Sequence, residues 1–283
     1  MNSADLNEAE IDFFFREGYV IVKNVFTKDE VETLRNFFRD KFESEFWKIS
    51  PFNSSNNIND LYNHFPELID LVFKPAYIHA VKSILGQKLV CIPECCVHYN
   101  RYFDWHRDTT KMESFGTANG WKAEDLLIQS CIYLQDNKPE GGGLTLVPKS
   151  HSRKDRFVKM HHGNIWDRVQ HKVLKMMNRS PFQQIERHEN PVDVPSQAGD
   201  LLLFNSRLDH RATFLRGKNA KPIVPKLEKF AVFNTFSNRK ALAEEFQKSI
   251  KSADEPYANF LKQASLPPAL IAKAKALEFS LIY

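Results

Sequence analysis

Apolar residues first recur at helical spacing over residues 5–16, where Leu6, Ile11, Phe14 and Phe15 fall on roughly one side and Gly18 stands where the helix should end. YVIVKNVF then reads as a strand from its β-branched and aromatic content. Thr27 followed by Glu30 is a capping-box signature, and Val31, Leu34, Phe37, Phe38 and Phe42 continue at helical spacing to about residue 46. The Asn- and Ser-dense stretch SPFNSSNNINDLYN reads as a loop, and Pro75 opens a helical segment with Ile78, Val81, Ile84 and Leu85 before Gly86.

From residue 88 the period shifts toward two. KLVCIPECCVHY is expected to be a strand with a break at Pro93, and residues 109–122 a long loop of the kind that is more often functional than not. LLIQSCIYLQD is a strong strand, and NKPEGGG turns into LTLVP. An excursion carrying one helix, IWDRVQHKVLKMM, runs to about residue 190. Strands return in PVDVPSQAGDLLLFNSRLDHRAT and EKFAVFNTFS, and the tail from Lys240 is helical. The pattern predicts one mainly β domain over residues 1–283, with helices at both flanks and a lid-like insertion at about 152–190.

Composition narrows the class without fixing the chemistry. Hydrophobic content of 42% with 26% charged residues is that of a soluble globular protein, and 23 Phe imply a core built largely from aromatic area. No apolar run is long enough to span a membrane and the acidic N-terminus is no signal peptide, so no membrane partner and a cytoplasmic location are expected. Cys91, Cys95, Cys96 and Cys131 form neither a disulfide framework nor a zinc spacing. A net charge of +4 does not imply nucleic acid, and the basic residues are not interleaved with aromatics as a stacking platform would be.

The chemistry lies in VHYNRYFDWHRD and LLLFNSRLDHR. His106 and Asp108 sit two apart, so on a strand they point to one face, and His210 follows about a hundred residues later. Two imidazoles and a carboxylate make the facial triad that holds non-haem Fe(II) and leaves three positions open. A His-x-Asp pair is weak alone in a chain with ten His. Trp105 points opposite His106 and reads as core or rim. The glycines at 141–143 lack a phosphate-loop context and read as a turn between strands.

Taken in order, FFFREGYVIVKNVFTKDEVETLRNFF, WHRD, IYLQDNKPEGGGLTLVPKSH and AGDLLLFNSRLDHR resemble the phytanoyl-CoA dioxygenase-like (PhyH) family of Fe(II)- and 2-oxoglutarate-dependent oxygenases. The resemblance implies a double-stranded β-helix, a jelly-roll, cupin-like barrel with iron inside one open end. It implies Fe(II) on His106, Asp108 and His210, and 2-oxoglutarate and O2 as cosubstrates. It also implies hydroxylation of an unactivated C–H bond with release of succinate and CO2. Asp108 stands where halogenating relatives carry a small residue, which favours hydroxylation or another oxidation.

Family members usually meet the distal carboxylate of 2-oxoglutarate with an Arg at the start of the strand after the second metal His, and this chain departs from that pattern. Lys229 is favoured because it directly precedes FAVF, with Arg216, Arg211 and Lys221 as rivals. An ammonium neutralises a carboxylate but lacks the guanidinium fork. Gln129, Cys131 and Tyr133 share a strand face; if it looks inward, Gln129 or Cys131 touches the cosubstrate, the alternative being simple packing. Tyr99 is a comparable candidate, and His151 is read as structural rather than as a fourth ligand.

Substrate should enter over the open end, walled by residues 109–122 and the excursion after residue 150. That excursion carries Arg153, Lys154, Arg156, Lys159, Arg168, Lys172, Lys175, Arg179 and Arg187, which suit either an anionic small molecule or a solvated surface. A small-molecule substrate is expected. The competing classes are a non-catalytic metal- or ligand-binding barrel, against which the complete triad argues, and a protein-modifying hydroxylase, which a long surface groove would mark.

Overall fold

Two capping boxes fix the first two helices. Asn7 and Glu10 exchange side-chain-to-backbone hydrogen bonds at the start of α1 (Glu8–Glu17), and Thr27 and Glu30 do the same for α2 (Lys28–Glu43). The computed structural model describes residues 6–50, 53–114, 121–122, 124–138, 142–158, 165–177, 181–216, 222–223, 228–251 and 265–282. Between the two helices runs β1 (Tyr19–Val22), and beyond α2 come β2 (Asn57–Asn59), α3 (Leu61–His64), α4 (Leu68–Val72), α5 (Pro75–Leu85) and β3 (Val90–Tyr99). Then follow α6 (Thr110–Ser114), β4 (Leu127–Tyr133), β5 (Leu144–Leu146), α7 (Ile165–Met176), α8 (Pro181–His188) and β6 (Val192–Asp193). The remainder is β7 (Leu201–Asn205), β8 (His210–Ala212), β9 (Leu215–Arg216), β10 (Pro222–Ile223), β11 (Phe230–Ser237), α9 (Lys240–Lys251), α10 (Pro268–Ala276) and β12 (Ser280–Leu281).

The strands form a large sheet in the order β1-β7-β4-β11-β3-β12, with β2 also on β3, and a small sheet in the order β6-β5-β8. A β9-β10 ribbon stands apart from both. This is the mainly β layout with flanking helices that the strand pattern predicted, in the jelly-roll arrangement that the family resemblance implied. Among the described residues the two sheets do not join into one continuous hydrogen-bonded barrel.

Alternation along the strands divides the core in two. Val97, Ile128, Ile132, Leu201, Leu203 and Val232 pack outward against α2 and α5 side chains such as Leu34, Phe38 and Ile78. Each wholly buried side chain of that size contributes roughly 2 kcal/mol. Cys131, Tyr133, Leu202, Phe204 and Ala231 point inward, toward Leu144, Leu146 and Val194 of the small sheet and Leu208 just before β8. The face carrying Gln129, Cys131 and Tyr133 is therefore the inner one.

Three local expectations are corrected. The Asn-rich stretch read as a loop contributes β2, because its backbone pairs with β3 and the Asn57 amide donates to Asn59 Oδ1 at 2.9 Å. β3 is unbroken at Pro93: the β3–β11 register shifts there, from Cys96 opposite Phe233 to Ile92 opposite Thr235, and a bulge accommodates a residue with no N–H. The expected 109–122 loop begins as α6, whose Met112 is buried against Leu242, Phe246 and Ile250 of α9; residues 115–120 lie outside the described residues. The insertion holds a second helix, α8, started by Pro181, and the tail ends in β12, parallel to β3. No described helix is long and apolar enough to cross a membrane.

Two glycines are required by close approach. Gly18 has φ +91°, and a Cβ there would lie 2.6 Å from His151 Nδ1. Gly199, at the turn into β7, has φ +93°, and its Cβ would lie 2.4 Å from the Phe26 carbonyl oxygen.

Candidate metal centre

His106 and His210 are paired directly across an isolated antiparallel bridge, each backbone N–H donating to the other's carbonyl at 2.9 and 3.0 Å. Their rings lie on the same side, with centroids 4.2 Å apart. His106 Nδ1 is 2.6 Å from the Asp104 carbonyl and His210 Nδ1 is 3.0 Å from that of Leu208. A carbonyl only accepts, so each Nδ1 carries the proton and each Nε2 keeps its lone pair. Both Nε2 atoms point at Asp108 Oδ1, at 3.7 Å each. The three potential ligand atoms lie within 4.8 Å of one another, and no other metal-competent group of this kind occurs among the described residues.

The electrostatics suit a cation. Asp108 Oδ2 is buried with no hydrogen-bond partner, and burial pushes the carboxyl up to about 6 against the opposing pull of His106. Burial holds His210 down to about 4, so its imidazole is neutral near pH 7. A buried carboxylate with Oδ1 facing two imidazole lone pairs and Oδ2 left without a partner is a donor set that fits a divalent metal, and two nitrogens with one oxygen fit non-haem Fe(II).

On either side of the bridge, the sequence neighbours of the two histidines make contacts of their own. Arg107 and Asp209 form an ion pair on which both side chains are 0% exposed. The Arg107 guanidinium also donates to the carbonyls of Arg153 at 2.9 Å and Ser150 at 2.8 Å, while Arg156 Nε lies 3.0 Å from Asp209 Oδ2. Trp105 Nε1 donates to Glu186 Oε1 at 2.9 Å, and Arg211 Nε lies 3.2 Å from the same oxygen. Neither pairing was foreseen from the sequence. The available signal was the chain order itself, since WHRD and DHR place a charge beside each histidine.

The candidates for the cosubstrate divide clearly. Lys229, just before β11, is buried at 4% exposure; its Nζ donates to the Arg101 carbonyl at 3.2 Å and lies 4.7 Å from the Tyr102 ring centroid. It ion-pairs with no carboxylate among the described residues, and burial lowers it to about 7. Burial, aided by the charge of Asp108 and opposed by that of Lys229, pushes the Cys131 thiol on the inner face well above its usual range. Gln129 is on the same face and its Oε1 accepts from Thr235 Oγ1 at 3.0 Å. Tyr133 lines that face with its ring 6.3 Å from Phe233.

One candidate is turned away from the inner face. Tyr99 points outward, stacked on Phe42 at 4.8 Å and Phe230 at 4.9 Å; the inward residue of that pair is His98, whose ring lies 4.8 Å from Phe233 and which burial holds well below the usual histidine range. Arg211 lies over Trp105 and Phe214, on the reverse of the strand from the His210 ring. Arg216 has its backbone in β9, opposite Pro222, while its side chain and all of Lys221 lie outside the described residues. His151 packs beside Gly18, outside the group formed by His106, Asp108 and His210. Of the basic insertion, Arg153 and Arg156 are taken up by Glu189 and do not form an open anion site.

A jelly roll with two imidazoles and a carboxylate gathered at one end defines the class of non-haem Fe(II)/2-oxoglutarate oxygenases. The chain belongs to the phytanoyl-CoA dioxygenase (PhyH) family, whose model matches residues 14–221. It is 23% identical over 282 residues to an ectoine dioxygenase of Sphingopyxis alaskensis, covering 95% of this chain and 87% of that one. In fold it is similar to EctD from S. alaskensis with 2-oxoglutarate and 5-hydroxyectoine, with a TM-score of 0.56, 17% identity, and coverage of 83% and 77% of the two chains. HygX from Streptomyces hygroscopicus with nickel and 2-oxoglutarate gives a TM-score of 0.56 at 17% identity, over 82% of this chain and 87% of that one.

Proposed function

We propose that the protein is an Fe(II)- and 2-oxoglutarate-dependent hydroxylase of a small metabolite, with His106 Nε2, His210 Nε2 and the Asp108 carboxylate as the metal ligands. The observation that carries this reading is Asp108 Oδ2, buried without a partner beside two imidazole nitrogens whose protons are held on the far side of each ring. Bound Fe(II) supplies O2-dependent oxidation of a C–H bond, coupled to conversion of the oxoacid to succinate and CO2. The chain's own residues do the rest. The Asp104 and Leu208 carbonyls hold the Nδ1 protons and so orient both rings. Burial lowers Lys229 to about 7 and it meets no carboxylate among the described residues, so an oxoacid's distal carboxylate would supply the missing charge and favour the ammonium form. Gln129 and Thr235, hydrogen-bonded to each other, form a polar wall on the same inner face.

The same reading takes residues 1–283 as one oxygenase domain with 152–190 as an insertion. It locates the enzyme in the cytoplasm, which suits four free cysteines of which Cys91, Cys95 and Cys131 are buried. The curated relative is named an ectoine dioxygenase, which supports starting the substrate search with small polar metabolites. The test is succinate release by purified protein given Fe(II), 2-oxoglutarate and a panel that includes ectoine. Substrate-dependent succinate supports the reading. Absence of both coupled and uncoupled 2-oxoglutarate consumption across the panel overturns it in favour of a binding barrel.

A further inference from the structure

The insertion does more than border the site. On α8, Ile185 is wholly buried and, with Phe182, packs against Trp105, Val147 and Phe157 in a small apolar cluster of its own. That packing fixes the helix, and with it the next residue, Glu186. One oxygen of Glu186 meets two side chains from different strands: it accepts from Trp105 Nε1 at 2.9 Å and sits 3.2 Å from Arg211 Nε. Trp105 immediately precedes His106, and Arg211 immediately follows His210. Because successive side chains on an extended chain point to opposite sides, a residue gripping Trp105 and Arg211 grips the reverse of the segments that present the two imidazoles. The guanidinium of Arg211 also lies 5.3 Å from the Trp105 ring centroid, which completes a three-membered contact behind the histidine pair.

We propose that Glu186 is a positioning residue for the metal centre, with one carboxylate oxygen of the insertion setting the relative placement of the segments that carry His106 and His210. The role rests on the metal-site reading above and extends it to a residue some eighty positions from the first histidine and outside the segments that carry the family resemblance. Partners that orient metal-binding histidines typically alter metal affinity by 10- to 100-fold when removed. Glu186 acts one step further out, on the backbones behind the rings, and the lower end of that range is the expected loss.

The test uses full-length protein and Co(II) as a spectroscopic probe, without turnover. Co(II) affinity and the visible absorption of bound Co(II) are measured for wild type, Glu186→Ala, Glu186→Gln and Trp105→Phe, alongside metal-free thermal unfolding. Trp105→Phe keeps an aromatic ring at that site while removing the indole donor, and the cost of its smaller ring is read in the metal-free unfolding. Support is about tenfold weaker binding and a changed absorption envelope in Glu186→Ala, with smaller changes of the same kind in Trp105→Phe and Glu186→Gln. The role is overturned if all variants bind with wild-type affinity and spectrum. It is also overturned if Glu186→Ala loses affinity only in step with unfolding while the other two match wild type, which marks a mere tether. Failure of wild type to bind Co(II) sinks the metal-site reading itself, and this role with it.

Discussion

Arg107 and Asp209, one beside each histidine of the metal cluster, are joined in an ion pair closed to solvent on both sides. Removing one partner leaves the other charge buried, which typically costs about 3–5 kcal/mol. Arg107→Ala should therefore destabilise the metal-free protein by an amount of that order in urea unfolding. A loss under about 1 kcal/mol would mean that Arg156, 3.0 Å from Asp209, carries the compensation alone.

Each member of the His106, Asp108 and His210 group should be indispensable. Alanine at any one should abolish Fe(II)-dependent 2-oxoglutarate turnover and reduce bound metal, measured by elemental analysis after desalting, while secondary structure persists. Full turnover in any of the three removes that residue from the ligand set.

Lys229 gives a pH dependence with a definite sign. Burial lowers it from 10.5 to about 7, so between those values the unfolded chain holds a proton that the folded chain has released. Stability without cosubstrate should rise with pH across that window, by on the order of 4 kcal/mol in all. 2-Oxoglutarate needs the ammonium form, so its affinity should fall as pH rises above about 7. Lys229→Met should flatten both slopes and raise KM for 2-oxoglutarate at least about tenfold, with little change for the prime substrate. An unchanged KM would transfer the role to another cation.

Tyr99→Phe should leave KM for 2-oxoglutarate unaltered, because the ring stacks on Phe42 and Phe230 away from the inner face. A severalfold rise would contradict that placement.

Gly199→Ala should lower stability by about 1–3 kcal/mol, since the new Cβ meets the Phe26 carbonyl in a backbone region that L-residues avoid. Thermal unfolding reads the effect directly.

The metal group was legible only in part: period-two spacing put His106 and Asp108 on one side, although Asp108 sits in a turn and not on a strand, and His210 came from the order of the resembling segments. The inner face of β4 was legible from the same spacing, up to the choice of face. Tyr99 and His98 show where that reasoning ends. The odd positions of β3 are apolar and the even ones mix Val90 and Ile92 with Glu94 and His98, but both faces of this sheet are covered, and which one looks inward is set by pairing with β2 and β11, a register no single strand contains. β2 was hidden because Asn has low strand propensity and its stabilisation comes from a partner strand. Arg107, Asp209 and Glu186 were hidden because an ion pair between distant segments leaves no periodic trace. Their partners lie 102 residues apart for Arg107 and Asp209, and 81 apart for Trp105 and Glu186.

The hold of α8 on Trp105 and Arg211 bears on how such an enzyme could be retargeted. Exchanging the whole segment after β5 for that of a relative would be a natural way to borrow a new specificity. Here the exchange would also withdraw an oxygen that both histidine-bearing segments lean on from behind. A chimera that preserves Ile185 and Glu186 while varying the exposed faces of α7 should keep its metal, whereas a wholesale swap should emerge as poorly loaded protein.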